Sequence, residues 1–213
     1  AIAGAASAIF FNHGQCCCAG SRLMAHEKVF DQVTEGISKI ASNIKVGPGM
    51  DSSSEMGPLV SDEQFKKVSG YIEAGKSEGG EIIAGGNYDN SSGGHFVHPT
   101  VFAKTDKNMS IVKEEIFGPV LCAQPFSDQD LDKIADAANN TTFGLAASVW
   151  SQNISTAHKL AAKIRAGTVW VNCHNIFDAS LPFGGYKESG WGREMGHEVL
   201  KNYTELKAVT VNL

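Results

Sequence analysis

The 213-residue chain has 42% hydrophobic residues and a formal net charge of -5, so it can bury a large core in one or two domains. The acidic balance and the lack of a basic run argue against a nucleic-acid partner, and the short, interrupted apolar stretches argue against a membrane span. The five cysteines are odd in number and unevenly spaced, which favours a reducing compartment, and we expect the chain to lie in the cytoplasm.

The first part of the chain predicts helices. Residues 1–11 are an apolar run with no Met, cap or turn before it, as if an element were entered partway, and we expect the chain to be a fragment. Residues 26–44 repeat apolar residues at spacings of three and four until Gly47-Pro48-Gly49. Ser61, three residues before Gln64, predicts the cap of a further helix that runs to about residue 77.

Strand and helix patterns alternate along the rest of the chain. The predicted strands are 81–84, 96–102, 120–126, 146–150 and 168–171, and helices are predicted at 127–138 and 155–165. Such alternation implies parallel strand pairs joined by helical crossovers. We therefore predict an α/β fold: a three-layer domain with a mostly parallel sheet and functional groups at the carboxyl ends of its strands.

The last residues of the chain alternate as a further strand. Residues 207–213 read Lys-Ala-Val-Thr-Val-Asn-Leu and have no partner strand nearby in the sequence. A strand of this kind can pair with another subunit. We expect a homo-oligomer that assembles through this C-terminal oligomerisation strand.

Three consecutive cysteines, Cys16, Cys17 and Cys18, follow the point where a helical run breaks at Gly14. Adjacent thiols cannot easily bond one another or surround one metal ion, and no Cys or His pairs have structural zinc spacing, so we expect no metal site. A single cysteine is most often a small buried residue with an inert sulfur. Three in a row on an irregular segment favour a reactive thiol that faces a cleft.

Two other irregular segments carry candidate functional groups. Glu114 and Glu115 precede an Ile-Phe pair and a Gly-Pro turn. Adjacent acids usually form a solvated face, but a carboxylate near a turn can also accept hydrogen bonds from ribose hydroxyls. Residues 182–190 are rich in glycine and lie between Phe177 and Trp191, which indicates either a loop held by ring packing or the wall of an apolar pocket.

These segments belong to a series of motifs that extends over essentially the entire chain. The motifs are Phe11-Asn12-x-Gly14-Gln15-x-Cys17-x-Ala19-Gly20, Gly57-Pro58-Leu59-Val60, Gln64-Phe65-x-Lys67, Pro99-Thr100-Val101, Glu114-Glu115-Ile116-Phe117-Gly118-Pro119-Val120, Gly144-Leu145-Ala146-Ala147, Ala166-Gly167-Thr168-Val169-Trp170-Val171-Asn172 and Pro182-Phe183-Gly184-Gly185. In order and spacing they closely resemble the NAD(P)-dependent aldehyde dehydrogenase superfamily. The resemblance implies a catalytic domain that takes part in oxidising a small-molecule aldehyde to a carboxylic acid.

The resemblance also implies a role for individual residues. Cys17 corresponds to the nucleophile, whose thiolate forms a thiohemiacetal with the aldehyde and then a thioester, and its backbone amide would form part of an oxyanion hole. Glu115 corresponds to the acid that holds the nicotinamide ribose, and Phe117 to the ring beside the nicotinamide. The remaining implied site residues approach the cofactor (Gln64 and Lys67) or line the substrate pocket (Cys16, Cys18, Asn172, Phe177 and Phe183).

The same resemblance sets expectations for domains and cofactor. Residues 1–202 correspond to the catalytic domain and residues 203–213 to the oligomerisation strand. The cofactor would be NAD or NADP, with NAD favoured, and it would be bound mainly by a dinucleotide-binding domain that these residues do not include. The family's general base and an oxyanion-hole asparagine would also lie outside, so we expect that the isolated chain does not oxidise aldehydes.

Two questions stay open at this level. Residues 177–181 resemble aryl-acetaldehyde members such as phenylacetaldehyde dehydrogenases, while short aliphatic aldehydes are the alternative substrates. The chain could also be a truncated, non-catalytic module of the same fold that serves in oligomerisation or regulation, in which case its cysteines would be incidental.

Overall fold

The computed structural model describes residues 1–91, 93–127 and 129–213. Its helices are α1 (Ile2–Phe10), α2 (Glu27–Asn43), α3 (Asp62–Ser77), α4 (Ser110–Lys113), α5 (Leu131–Asn139) and α6 (Ile154–Lys163), with 3₁₀ turns at Phe11–Gly14 and His197–Asn202. Its strands are β1 (Arg22–His26), β2 (Glu81–Ala84), β3 (Tyr88–Asp89), β4 (Phe96–Val97), β5 (Thr100–Ala103), β6 (Val120–Phe126), β7 (Phe143–Gly144), β8 (Ala146–Val149), β9 (Thr168–Val171) and β10 (Tyr186–Lys187).

A four-stranded sheet in the order β1-β6-β5-β2 forms the centre of the molecule. β6 pairs in parallel with both β1 and β5, whereas β2 is antiparallel to β5 at the edge. The predicted α/β class is therefore confirmed, and the sheet, for which mostly parallel pairing was predicted, is partly parallel. Strands that pair in parallel need long crossover connections, and the connection from β5 to β6 contains α4.

Helices cover both faces of this sheet. Because neighbouring strand residues point to opposite faces, Val101 packs with Ile37 of α2 on one side, while Phe102 packs with Val68 and Ile72 of α3 on the other. The described residues thus form three layers, with α1 and α2 opposite α3 and α4. The core has a hydrophobic cluster in each of the two interlayer spaces.

The sequence explains where α3 begins. Ser61 caps the helix, since its hydroxyl accepts a hydrogen bond from the Gln64 amide at 3.2 Å. Asp62 and Glu63 lie in the first turn and Lys76 in the last, where each charge complements the helix dipole.

A second, smaller unit consists of β8, α6 and β9, in which the two strands pair in parallel. This unit and the neighbouring α5, which packs on α6, contact the larger unit. The Arg22 guanidinium donates to the Ala138 carbonyl at 2.8 Å, and Trp150 packs so closely on α1 that a Cβ at Gly4 would lie 2.2 Å from its ring. The two units therefore meet beside the segment that carries the cysteines.

Two predicted elements differ from the structure. The strand predicted at 96–102 is divided into β4 and β5, and proline at position 99 cannot donate a hydrogen bond to a strand ladder. The helix predicted from residue 127 begins at Leu131 with Asp130 as its cap, while Asp128 lies outside the described residues.

Residues 203–213 form no strand in the structure, and all of them are exposed. A strand requires hydrogen bonds to a neighbouring strand, and the single chain offers no neighbour at this position. The single chain therefore does not test the predicted oligomerisation strand, and its pairing with another subunit stays a prediction. The last regular element ends at Asn202. In the part of the chain that is described, no helix is both long and apolar enough to cross a bilayer.

Candidate active site

The cysteine triplet lies where α1 ends. Asn12 and His13 both adopt left-handed backbone conformations, and Gly14 follows with φ +67°. The backbone of Gly14 approaches that of Gly118 so closely that a Cβ at Gly14 would lie 2.1 Å from the Gly118 carbonyl oxygen. Only glycine fits this position, and the approach places the triplet beside the turn that follows Glu115 and Phe117.

Hydrogen bonds hold the leading part of this segment to residues 57–60. The Gly57 amide donates to His13 Nε2 at 3.0 Å, and the Val60 amide donates to Gln15 Oε1 at 3.1 Å. The Asn12 side chain donates to the Gln15 carbonyl at 2.7 Å. The segment before the triplet is therefore fixed, although it belongs to no helix or strand.

The three cysteines have different environments. Cys17 is exposed, Cys16 is half-buried, and Cys18 is buried with 5% of its surface accessible. The Cys18 thiol donates to Asn175 Oδ1 at 3.0 Å and lies 3.5 Å from the Cys16 sulfur. Burial, followed by the hydrogen bond with Cys16, raises the pKa of Cys18 to about 12, so Cys18 remains a thiol near neutral pH. Cys17 is the accessible sulfur.

An aromatic row begins at Trp170 in β9 and continues in the segment that follows this strand. The Trp170 ring contacts the Phe177 ring edge-on at 5.5 Å between centroids, and Phe177 contacts Phe183 in the same way at 5.2 Å. Phe177 is 48% exposed, so one side of the row faces outward. Edge-to-face packing of this kind is favourable for aromatic pairs and leaves an apolar surface.

Asn172 ends β9 in a left-handed conformation, with φ 55°. Its side-chain amide accepts from the Ser151 amide at 2.9 Å and donates to the Ser151 carbonyl at 2.9 Å. Both polar atoms of the Asn172 side chain are thus engaged with the backbone after β8. Asn172 links the ends of the two parallel strands, and its assignment to a substrate pocket stays a prediction.

The turn with the second predicted site lies beside Gly14. Gln64 Nε2 donates to the carbonyl oxygens of Ile116 and Phe117 at 3.2 Å and 2.7 Å, and this pair of bonds holds Phe117 in a left-handed conformation with φ 57°. Gln64 is therefore a support for the turn. Glu115 is exposed and, among the residues that the structure describes, it has no hydrogen-bond or ion-pair partner.

The neighbouring acid has a different environment. The Tyr71 hydroxyl donates to the Glu114 carboxylate at 2.7 Å, and this bond, followed by burial, raises the pKa of Tyr71 to about 12. Lys67 lies exposed on α3. Of the two acids, Glu115 is the one available to a ligand.

Two surface cavities of the described residues lie away from the triplet. One of about 330 Å³ lies between α1 and α2, with Phe10, Phe11 and Met56 in its lining, and one of about 230 Å³ lies between α2 and the sheet edge. Cys17 lines neither cavity, and its side chain is exposed. No group of three or more His, Cys, Asp or Glu side chains within residues 1–91, 93–127 and 129–213 is arranged to hold a metal ion.

Two residues that contact the triplet were not among the predicted site residues. Asn175 bonds to the Cys18 thiol, and His174 Nε2 lies 2.9 Å from the Cys18 carbonyl oxygen. Both residues come shortly after β9, at the carboxyl end of a parallel strand, where functional groups gather in α/β proteins. Their position directly after a predicted parallel strand was the sequence signal that could have identified them as site residues.

Comparison with known proteins gives consistent matches over the full chain. The sequence profile of the aldehyde dehydrogenase family matches residues 1–209. The crystal structure of an aldehyde dehydrogenase from Bacillus cereus in complex with NAD+ is 50% identical, with a TM-score of 0.95 over 100% of this chain and 43% of that chain.

Curated relatives match equally far along the chain. The mitochondrial aldehyde dehydrogenase of Homo sapiens is 46% identical over 100% of this chain and 41% of its own length. A phenylacetaldehyde dehydrogenase of Pseudomonas fluorescens is 42% identical over 99% of this chain and 42% of its own length. The chain thus spans 41 to 43% of the length of these proteins.

Proposed function

Because the chain belongs to the aldehyde dehydrogenase family, we propose that it provides the nucleophile for NAD(P)-dependent oxidation of an aldehyde to a carboxylic acid. Cys17 is the proposed nucleophile. The observation that supports this role is the contrast within the triplet, since Cys17 is exposed while Cys18 is buried and hydrogen-bonded to Asn175. A nucleophilic thiol must reach its substrate, and Cys17 is the member that can.

The proposed chemistry takes place on the Cys17 sulfur. The thiolate adds to the carbonyl carbon of the aldehyde and forms a thiohemiacetal, whose oxygen is placed to accept a hydrogen bond from the Cys17 backbone amide. NAD(P)+ would supply the hydride acceptor that oxidises this adduct to a thioester. Water then cleaves the thioester, which releases the carboxylic acid and restores the thiol.

The residues near the triplet fit one part of the cofactor. Glu115 presents an exposed carboxylate without a partner among the described residues, and such a carboxylate can accept hydrogen bonds from the hydroxyls of a ribose. Phe117 lies half-buried on the same turn, where its ring can face a nicotinamide. Gln64 fixes the turn from below, and Lys67 is exposed on the same helix. NAD is favoured over NADP as the proposed cofactor.

The aromatic row supports an aromatic substrate. Phe177 and Phe183 pack edge to face after β9, the strand that precedes His174 and Asn175, and leave an apolar surface, which suits a phenyl ring. The 42% identity to a phenylacetaldehyde dehydrogenase agrees with this proposal, and short aliphatic aldehydes are the alternative. The proposed location is the cytoplasm.

The chain spans 43% of the Bacillus cereus enzyme, and we assign the activation of water and most of the cofactor contacts to residues outside these 213. Cys17 lies on open surface in this chain, which agrees with a site that needs further walls. The proposal therefore includes inactivity of the isolated chain.

A chimaera tests the nucleophile. This chain would replace the matching part of the Bacillus cereus enzyme, which has the same fold at a TM-score of 0.95. We expect NADH formation from phenylacetaldehyde, and we expect Cys17→Ala to reduce kcat/KM by more than about a thousandfold, since loss of a covalent nucleophile typically has effects of at least this size.

Cys16→Ala in the chimaera is the matched control. We expect it to change kcat/KM by less than about tenfold, since a pocket-lining side chain affects binding more than chemistry. A Cys17→Ala chimaera that retains most of its activity would show that Cys17 is not the nucleophile. NADH formation by the isolated chain would show that the proposed division of functions is wrong.

A second role, in assembly, is supported by the C-terminal residues. Leu206, Val209, Val211 and Leu213 are at least 72% exposed, and apolar side chains exposed together mark interaction surfaces. We propose that residues 203–213 add a strand to another subunit of the oligomer. A purely structural module would need only this segment, whereas the catalytic proposal also needs Cys17.

A further inference from the structure

The segment after β9 is a rigid support beside the cysteine triplet. The Trp170 indole donates to the Ile176 carbonyl at 2.8 Å, and the Asn172 amide group forms two bonds with Ser151. The His174 ring also packs on the Trp170 ring, with 4.7 Å between centroids. All of these contacts lie within the unit formed by β8, α6 and β9, so the segment takes its shape without help from the triplet.

His174 connects this support to the residue that follows Cys17. Its Nε2 lies 2.9 Å from the Cys18 carbonyl oxygen, which can only accept a hydrogen bond. Nε2 therefore carries the proton. In a neutral imidazole Nδ1 is then an acceptor, and the Ser148 hydroxyl, which contacts Nδ1, is its donor. Burial lowers the pKa of His174, which favours this neutral form.

Asn175 supplies a second connection to the same residue. Its side-chain oxygen accepts a hydrogen bond from the Cys18 thiol at 3.0 Å. The Asn175 backbone is left-handed with φ 57°, a conformation that asparagine tolerates. Cys18 is thus held at its carbonyl by His174 and at its sulfur by Asn175. The residue directly before it, Cys17, has no such side-chain bond to any described residue and is exposed.

We propose that His174 is a positioning residue: with its tautomer set by Ser148, it anchors the Cys18 carbonyl so that the triplet presents Cys17 alone. The proposal extends the function proposed for Cys17, on which its role in the reaction rests. His174 acts through Cys18 and not on the reacting sulfur. The two parallel strands β8 and β9 are then the frame on which the nucleophile-bearing segment is held.

Alkylation of individual cysteines by iodoacetamide, followed by peptide mass spectrometry of the native 213-residue chain, tests this anchor. A buried thiol reacts when its surroundings open, so Cys18 reports opening of the triplet. Cys122 is 1% exposed in the core and reports opening of the whole fold. The ratio of their rates separates a local anchor from a general effect on stability.

The decisive variant is His174→Phe, which keeps a ring against Trp170 but removes both hydrogen bonds. We expect the Cys18 rate relative to Cys122 to rise about threefold or more, as loss of one ordinary hydrogen bond implies. Ser148→Ala, which perturbs the packing less, should raise the same ratio. His174→Gln should bring the ratio back toward that of the unchanged chain, because its amide can both donate and accept. His158→Phe, at an exposed histidine of α6, is the matched control and should leave the ratio unchanged.

Three results would overturn the anchor. The first is a rise of less than about threefold in the Cys18/Cys122 rate ratio of His174→Phe, since loss of a hydrogen bond predicts more. The others are an equal increase of the Cys18 and Cys122 rates in that variant, or an equal rise of the ratio in His158→Phe. The same data test the nucleophile separately. In the unchanged chain Cys17 should react faster than Cys16, and equal rates would count against Cys17 as nucleophile whatever His174 does.

Discussion

At the scale of single residues, backbone geometry decides where the reactive sulfur lies. α1 ends at Phe10 and is followed by residues with positive φ, Asn12, His13 and Gly14, and this change of direction separates the triplet from the helix. Gly14 has little freedom, because a Cβ there would lie 2.1 Å from the Gly118 carbonyl oxygen. A side chain there would separate the triplet from the turn that carries Glu115.

Gly14→Ala is expected to lower the free energy of unfolding by about 1–3 kcal/mol more than Gly79→Ala, because overpacking adds a cost of this size to the left-handed strain. Gly79 also has positive φ, but a Cβ there meets nothing within 4 Å. Urea unfolding of both variants measures the difference. Equal losses would mean that the close approach to Gly118 does not constrain this site.

At the scale of elements, α3 connects the core to the turn at Glu115. Near the start of the helix, Gln64 supports the turn. Near its end, a Cβ at Gly75 would lie 2.8 Å from the Phe102 ring and 2.9 Å from the terminal methyl group of Ile111. Phe102 is fully buried, so it has little room to move. The close packing at Gly75 sets how near α3 lies to the sheet.

Two substitutions within α3 should therefore have opposite effects. Gly70 has nothing within 4 Å of its Cβ position, so Gly70→Ala should raise the free energy of unfolding by about 0.5–1 kcal/mol through helix propensity. Gly75→Ala should lower it by about 1–2 kcal/mol, because overpacking of the core outweighs the same gain. Thermal or urea unfolding measures both, and a stabilised Gly75→Ala variant would contradict the packing argument.

At the scale of the whole molecule, two α/β units meet at the cysteine triplet. The larger unit supplies the triplet and the turn at Glu115, and the smaller unit supplies His174, Asn175 and the aromatic row. The C-terminal residues extend beyond both units, and residues 205–213 are exposed throughout. Their apolar side chains suit contact with another subunit better than contact with solvent.

Removal of residues 205–213 should change the free energy of unfolding of the single chain by less than about 0.5 kcal/mol, as for other surface changes away from packed contacts. The same truncation should lower the molar mass in sedimentation experiments if the segment joins subunits. Substitution of Leu206, Val209 and Val211 by serine should have the same effect at full length. An unchanged assembly after both changes would exclude this segment as the contact.

The sequence alone determined the family, the fold class and most of the elements, because these depend on local signals. The predicted strands at 81–84, 120–126 and 168–171 match β2, β6 and β9 residue for residue, since apolar residues suited to a pleated sheet cluster there. The last residues, 207–213, carry a similar pattern but form no strand, because a strand also needs a partner that this chain does not supply. Cys17 and Glu115 were identified because each lies in a distinctive motif.

The tertiary structure alone decided which sulfur is accessible and what holds its neighbours. The bonds from Cys18 to His174 and Asn175 join residues 156 and 157 positions apart, and neither partner lies in a periodic pattern that would reveal the other. Gln64 likewise proved to support the turn at Phe117 across 53 positions. Hydrogen bonds of this kind depend on how elements that are distant along the chain pack together, and packing pairs groups that local sequence patterns cannot pair.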